Sequence, residues 1–257
     1  MWHQSIQYFK FLLKSSNQHG VHSPFVYDLI TTCFYDKNTY DDYGAILNYK
    51  KSLLKNTSKI KVTDLGAGSQ VMKNRERSIA AIAKNAGTTV KRAKLLYKLI
   101  LYFKPKTILE LGTSLGIATH ALSLGYPQTI IISIEGCSHT ATFSKKQLEA
   151  FHVKNTDIII GDFNNEIEKL ISNSYDLIFF DGNHQKEATL HYFDAFVETA
   201  NNNSVFIFDD IYWSEGMTEA WEIIKKHPKV TVTIDTFFWG FVFFRKEQVK
   251  EHFTIRL

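Results

Sequence analysis

Residues 107–123, TILELGTSLGIATHALS, carry the densest chemistry in the chain. A short apolar run over 107–109 ends in Glu110. Gly112-Thr113-Ser114-Leu115-Gly116 then leads into a helical pattern with Ala118, Ala121 and Leu122 on one side. Gly112 permits a sharp turn, and Gly116 lets the backbone approach a ligand closely. An opening helix offers unpaired N–H groups to a polar or anionic group. Glu110 is an acceptor for a hydroxyl or an ammonium. Acids recur at the ends of later apolar runs, in Glu135-Gly136, Gly161-Asp162, Asp181-Gly182-Asn183-His184 and Asp209-Asp210. One such acid would be an ordinary solvated residue, but five in succession form a pattern.

These residues need a frame to bring them to one edge. From Thr107 onward, apolar runs over 129–134, 156–160, 175–180 and 204–208 read as strands. Helical patterns over 141–151, 166–171, 187–200 and 217–226 separate or follow them. Strands this apolar argue for a parallel sheet covered on both faces. Runs 230–236 and 238–244 follow with no helix between them, so they form a terminal hairpin, with Gly240 a candidate bulge. The expected fold class is α/β: a doubly wound, mostly parallel, seven-stranded Rossmann-like sheet with an antiparallel C-terminal hairpin strand. Residues 1–104 read as a mostly helical extension, and 105–257 as the domain proper. In the extension, Trp2, Ile6, Phe9, Leu12 and Leu13 fit a helical stripe, and Ser23-Pro24 is a helix start. Further helices are expected over 43–54 and 90–103, with 56–61 as an exposed connector.

Ligands of a doubly wound sheet bind at the carboxyl ends of the strands, where these acids stand. Glu135 lies about 20 residues beyond the Gly turn, the place of a ribose-binding acid in dinucleotide folds. A second Gly-rich stretch, Asp64-Leu65-Gly66-Ala67-Gly68, has no clear strand before it and mostly polar residues after it. It reads as a loop near the site or a connector.

The set Glu110-Leu111-Gly112-Thr113-Ser114-Leu115-Gly116, Glu135, Gly161-Asp162, Asp181-Gly182-Asn183-His184 and Asp209-Asp210 resembles, in this order, the motifs of class I S-adenosylmethionine-dependent methyltransferases. Within that class it is similar to the O-methyltransferases related to catechol O-methyltransferase and macrocin O-methyltransferase. The resemblance covers roughly 107–245, and the family's sheet ends in an antiparallel seventh strand. It implies that Glu110 and the Gly112–Gly116 turn hold the methionine part of the cofactor, with Thr113 and Ser114 bonding its polar groups. Glu135, with Gly136 beside it, would take the ribose hydroxyls. Asp162 and Phe163 would meet the adenine. Asp181 would border the cofactor, and Asp181, Asp209 and Asp210 align with divalent-metal ligands. Carboxylates suit a hard cation such as magnesium. Two departures stand out. The catechol-type enzymes commonly end the metal set in Asp-Asn where this chain has Asp209-Asp210. They carry a Lys base where this chain has His184, three residues after Asp181. An imidazole can accept a proton near neutrality, so His184, with Asp181, is the expected catalytic pair. Tyr212, Trp213 and Trp239 are candidates for an acceptor pocket.

The remaining composition narrows the alternatives. A net charge of +4 over 257 residues gives no strong pull toward nucleic acid or an anionic membrane. No run is long enough to span a bilayer. Cys33 and Cys137 form no metal-type pair, and a reduced, cytoplasmic setting is the simplest reading. The expected partner is a small-molecule methyl acceptor, and an apolar first helix could pair with a second copy in a homodimer. Two rival readings are a nicotinamide-dependent oxidoreductase and a non-catalytic binding module. The first requires G-x-G-x-x-G, a spacing the Gly112–Gly116 turn lacks.

Overall fold

The computed structural model describes residues 2–63 and 74–257. The Gly-rich stretch 64–68 lies outside them. In chain order the helices are α1 (Trp2–Lys14), α2 (Pro24–Asp28, continued by a π-helix over Leu29–Phe34), α3 (Asp42–Lys55), α4 (Ile79–Asn85), α5 (Val90–Phe103), α6 (Ile117–Gly125), α7 (Ser138–Ala150), α8 (Phe163–Leu170), α9 (Lys186–Val197) and α10 (Glu215–Lys226). The strands are β1 (Lys59–Lys61), β2 (Glu76–Ser78), β3 (Thr107–Leu111), β4 (Ile130–Glu135), β5 (Thr156–Ile160), β6 (Leu177–Phe180), β7 (Val205–Asp209), β8 (Val232–Asp235), β9 (Trp239–Phe243) and β10 (Glu251–Thr254). Strands β3 to β10 make an eight-stranded, mostly parallel sheet, which gives the α/β, Rossmann-like class expected. No described helix is long and apolar enough to cross a membrane.

The chain divides into two compact units, Asp36–Glu166 and Met1–Tyr35 with Ile167–Leu257. In the first, β3 pairs with β4 and β4 with β5, all parallel, and Glu110 stands opposite Ser133. β3 is buried over Ile108–Leu111, as a strand covered on both faces must be. Helices here begin on hydroxyl caps: Ser78 accepts from Ala81 N–H and Thr89 from Arg92 N–H. Lys50 of α3 is buried, and its ammonium donates to the carbonyls of Ala83, Gly87 and Thr88. It thereby satisfies the end of α4 and the bend before α5.

In the second unit β6 and β7 run parallel, and β9 lies antiparallel to both β7 and β8. The hairpin expected from the sequence is therefore present. An eighth strand, β10, runs parallel to β8. Its sequence EHFT has one buried residue, Phe253, so it lacks the apolar run that marks a strand. The pair β1–β2 was hidden for the same reason: KIK and ERS are mostly charged. Ser23 caps α2 as expected, accepting from Val26 N–H. The stripe on α1 faces outward at Trp2, Phe9 and Leu13, while Phe11 is buried and meets Phe237 at a tilt of 57°. Ser16 meets the end of β10: its N–H donates to Thr254 O, and Arg256 N–H donates to Ser16 O.

Gly240 is not a bulge. It sits in regular register, opposite Phe208 on one side and Asp235 on the other. A Cβ there would lie 2.7 Å from the Trp221 ring of α10, which is buried. The glycine is therefore where the indole packs against the sheet. Gly240→Ala should destabilise the fold by about 1–3 kcal/mol, the usual cost of overpacking a full core. Chemical denaturation will read this as a lower midpoint, and an unchanged midpoint would mean that the indole moves aside freely.

Candidate active site

The turn between β3 and α6 is built from three positive φ angles in five residues, 112° at Gly112, 48° at Ser114 and 73° at Gly116. Glycine adopts such angles without steric cost, whereas Ser114 does so against its Cβ. The surroundings hold it there. Gly112 and Thr113 N–H both donate to Ile134 O, at 2.9 and 3.2 Å. Gly116 N–H closes back on Thr113 O at 2.8 Å. Ser114 N–H donates to Glu135 Oε2 at 2.8 Å, and its carbonyl accepts the Ser144 hydroxyl of α7. The other Glu135 oxygen accepts from Cys137 N–H at 2.9 Å. The acid expected to hold a ribose thus also ties the Gly turn to the start of α7. Tyr49 of α3 donates its hydroxyl to Leu115 O at 2.9 Å. A Cβ on Gly116 would lie 2.7 Å from that hydroxyl and 3.3 Å from Leu148, so on this side the glycine makes room for protein.

Glu110, on β3, is fully buried. Its Oε2 accepts the hydroxyls of Thr119 and Ser133, each at 2.5 Å. Because Ser133 spends its only proton on Glu110, the 2.6 Å contact between Thr113 and Ser133 must have Thr113 as donor. The relay runs Thr113 to Ser133 to Glu110. Burial pushes the Glu110 carboxyl up to about 7; the two hydroxyls pull it down less, and Glu135 adds to the rise. Oε1 is buried and has no hydrogen-bond partner among the described residues.

The other strand ends of this unit are simpler. Gly136 is half-buried beside Glu135. Asp162 is half-buried after β5, and its Oδ1 accepts from Asn164 N–H at 3.0 Å. It caps the opening of α8, whose first residue is Phe163.

In the second unit the acids gather differently from the sequence assignment. One ligand-capable atom each from Asp181, His184 and Asp209 lies within 4.8 Å of the others. Asp181 follows β6, and Asp209 is the last residue of β7 and buried. Asn183, between Asp181 and His184 in this loop, takes φ 50° and donates Nδ2 to the Tyr192 hydroxyl at 3.1 Å. Asp210 is outside this group. Its backbone has φ 52°, its N–H donates to Phe238 O, and its carbonyl accepts from Trp213 N–H, both at 2.8 Å. Of the aromatic candidates, Trp239 is buried against Phe179 and Phe241, and the Tyr212 hydroxyl is spent on Asp235.

Residues 109–211 match a family model described as a methyltransferase domain. This stretch of the chain is similar to methyltransferase domains. No curated protein sequence matches the chain. Among solved structures, the SAH-bound methyltransferase PaMTH1 of Podospora anserina is 13% identical, with 88% of this chain and 97% of that one covered at a TM-score of 0.59. An O-methyltransferase from Bacillus cereus in complex with SAH is 16% identical, covering 81% and 92% at 0.53. The O-methyltransferase TomG from Streptomyces achromogenes, in complex with SAM, is 18% identical, covering 62% and 80% at 0.53. At such identities the likeness is one of fold.

Within the matched stretch, Thr119 and Ser133 were missed as partners of Glu110. A signal was present: Ser133 interrupts the run of isoleucines in β4, and Thr119 sits on the apolar α6, where a polar group needs a buried partner. Tyr49 lies upstream of every motif and gave none. The Glu110 arrangement has a pH signature. Its folded pKa lies above the ordinary 4.5, so its stabilising contribution is complete below about 4.5 and is lost as pH rises to about 7. Glu110→Gln removes the titration. Between these limits wild type should lose on the order of 3 kcal/mol relative to Glu110→Gln, read by denaturation at a series of pH values. Parallel pH profiles would show that Glu110 titrates normally.

Proposed function

We propose that the chain transfers the methyl group of S-adenosylmethionine to an oxygen of a small-molecule acceptor. The observation that carries this reading is the Gly turn tied to Glu135, in a fold shared with methyltransferases. The buried, unpartnered Oε1 of Glu110 is a fitting acceptor for a ligand's ammonium. On this reading Glu110, Gly112, Thr113, Ser114 and Gly116 hold the methionine part, Glu135 and Gly136 the ribose, and Asp162 and Phe163 the adenine, with Asp181 contributing from the loop after β6. The methyltransferase domain is taken to run over 105–257, with 1–104 as its extension. When bound, the cofactor supplies an electrophilic methyl group on a sulfonium. The acceptor oxygen would form a bond to that carbon as the carbon–sulfur bond breaks, leaving the sulfur as a neutral thioether. The protein's task is to align the reactants and relieve the acceptor hydroxyl of its proton.

Asp181, His184 and Asp209 support two ways of meeting that second task. Two carboxylates and an imidazole would hold a divalent cation, manganese as well as magnesium, which when bound lowers an acceptor hydroxyl's pKa. Alternatively His184 is the base, oriented by the two carboxylates.

Calorimetry should show heat on adding S-adenosylhomocysteine and none on adding NAD. Glu135→Ala should weaken that binding by about 1.5–3 kcal/mol, roughly tenfold or more. No binding to wild type would remove the methyltransferase reading, and binding without turnover over a broad panel of hydroxylated acceptors would leave a non-catalytic module.

The cation has its own test. Chelation should abolish methyl transfer, and magnesium or manganese should restore it. Asp209→Ala should remove manganese binding, read by paramagnetic resonance, with S-adenosylhomocysteine affinity retained. Full activity after exhaustive chelation would assign His184 as the base instead.

A further inference from the structure

The Gly turn is shaped from outside the methyltransferase motifs. Tyr49 stands on α3, upstream of the whole motif series, and is fully buried. Its ring stacks on His120 of α6 at 4.4 Å between centroids and 17° between planes, and meets Phe151 edge-on at 4.8 Å. That packing fixes where the hydroxyl goes. It donates to Leu115 O at 2.9 Å and fills the space that Gly116 leaves by lacking a side chain. Burial holds the phenol far above its ordinary pKa, so it remains a donor. The neighbouring Lys50 binds the bend at Gly87, and a Cβ on Gly87 would lie 2.7 Å from Ile117, the first residue of α6. Consecutive residues of α3 thus reach the last residues of the turn and the segment packed on the helix that follows it.

We infer that Tyr49 is a positioning residue for the cofactor: its hydroxyl holds the Leu115–Gly116 peptide in the orientation the bound cofactor requires. The inference rests on the assignment of the Gly turn to S-adenosylmethionine. Without the hydroxyl, the Leu115 carbonyl loses the partner that fixes its orientation, and Gly116 can rotate among the several backbone states open to glycine. Only the fraction of molecules with the turn in its binding form takes up ligand, so apparent affinity falls by that fraction. The ring, and with it the packing on His120 and Phe151, is preserved in Tyr49→Phe.

The experiment is a cycle of Tyr49→Phe, Gly116→Ala and the double variant, titrated with S-adenosylhomocysteine and melted without it. Tyr49→Phe should raise Kd about fivefold, the equivalent of one buried hydrogen bond, with a melting temperature within about 4 °C of wild type. Its KM for S-adenosylmethionine should rise while kcat holds. Gly116→Ala should be worse, because the new methyl meets the Tyr49 hydroxyl at a strained φ. The double variant should bind more tightly than Gly116→Ala alone, since the obstructing oxygen is gone. An unchanged Kd in Tyr49→Phe, or a double variant no better than Gly116→Ala, overturns the inference. So does a Tyr49→Phe protein without a melting transition, which would make Tyr49 a core residue only. If wild type binds no S-adenosylhomocysteine, the cofactor reading fails instead, and melting of the double variant above Gly116→Ala would still report the Tyr49–Gly116 contact.

Discussion

A backbone with three left-handed angles in five residues persists only where its surroundings over-determine it. That constraint governs the bend between β3 and α6. Ser114 sits at φ 48° although it is not a glycine, and both of its backbone polar groups are taken up by side chains from elsewhere, Glu135 at the end of β4 and Ser144 of α7. The Glu135 support depends on the parallel register that sets β4 beside β3. The sheet therefore does more than carry strand ends to one edge. It brings a carboxylate and an isoleucine carbonyl to the places where an unfavourable turn needs acceptors.

The same register puts Ser133 opposite Glu110, and this accounts for a buried carboxyl that would otherwise be costly. Two short hydroxyl contacts on one oxygen leave the other without a partner among the described residues. A group with one satisfied and one unsatisfied oxygen is sensitive to whatever approaches the second. Glu110 is thus a structural anchor for Thr119 and Ser133 whose second oxygen is buried with no hydrogen-bond partner among the described residues.

How far the sequence reached depended on which physics was local. Apolar runs marked the buried strands, and Gly112 and Gly116 marked the bend, because burial on two faces and positive φ both leave a compositional trace. Strand β10 and the pair β1–β2 left none, since half-exposed edge segments tolerate charge. Gly240 was read as a bulge because the alternative, a tryptophan from α10 lying against it, is a long-range contact that no local pattern encodes. The acids illustrate the same limit. Position at a strand end was legible for Asp181, Asp209 and Asp210. Which of them converge was not: Asp181 and Asp209 gather with His184, while Asp210, at a positive φ, is not in that group.

Ser16 and residues 254–256 are sewn together by backbone hydrogen bonds, while all of Asp36–Glu166 lies between them in the chain. A ribosome delivers residues from first to last. The initial segment emerges without the strand it will join and must wait, unpaired, while the intervening unit is made. That unit has its own parallel strands and its own capped helices, so it can fold as a continuous stretch during synthesis. The other unit closes only after the last strand has left the exit tunnel. Long-range closure of this kind is slow, and Phe11 of α1 is buried only once it is complete.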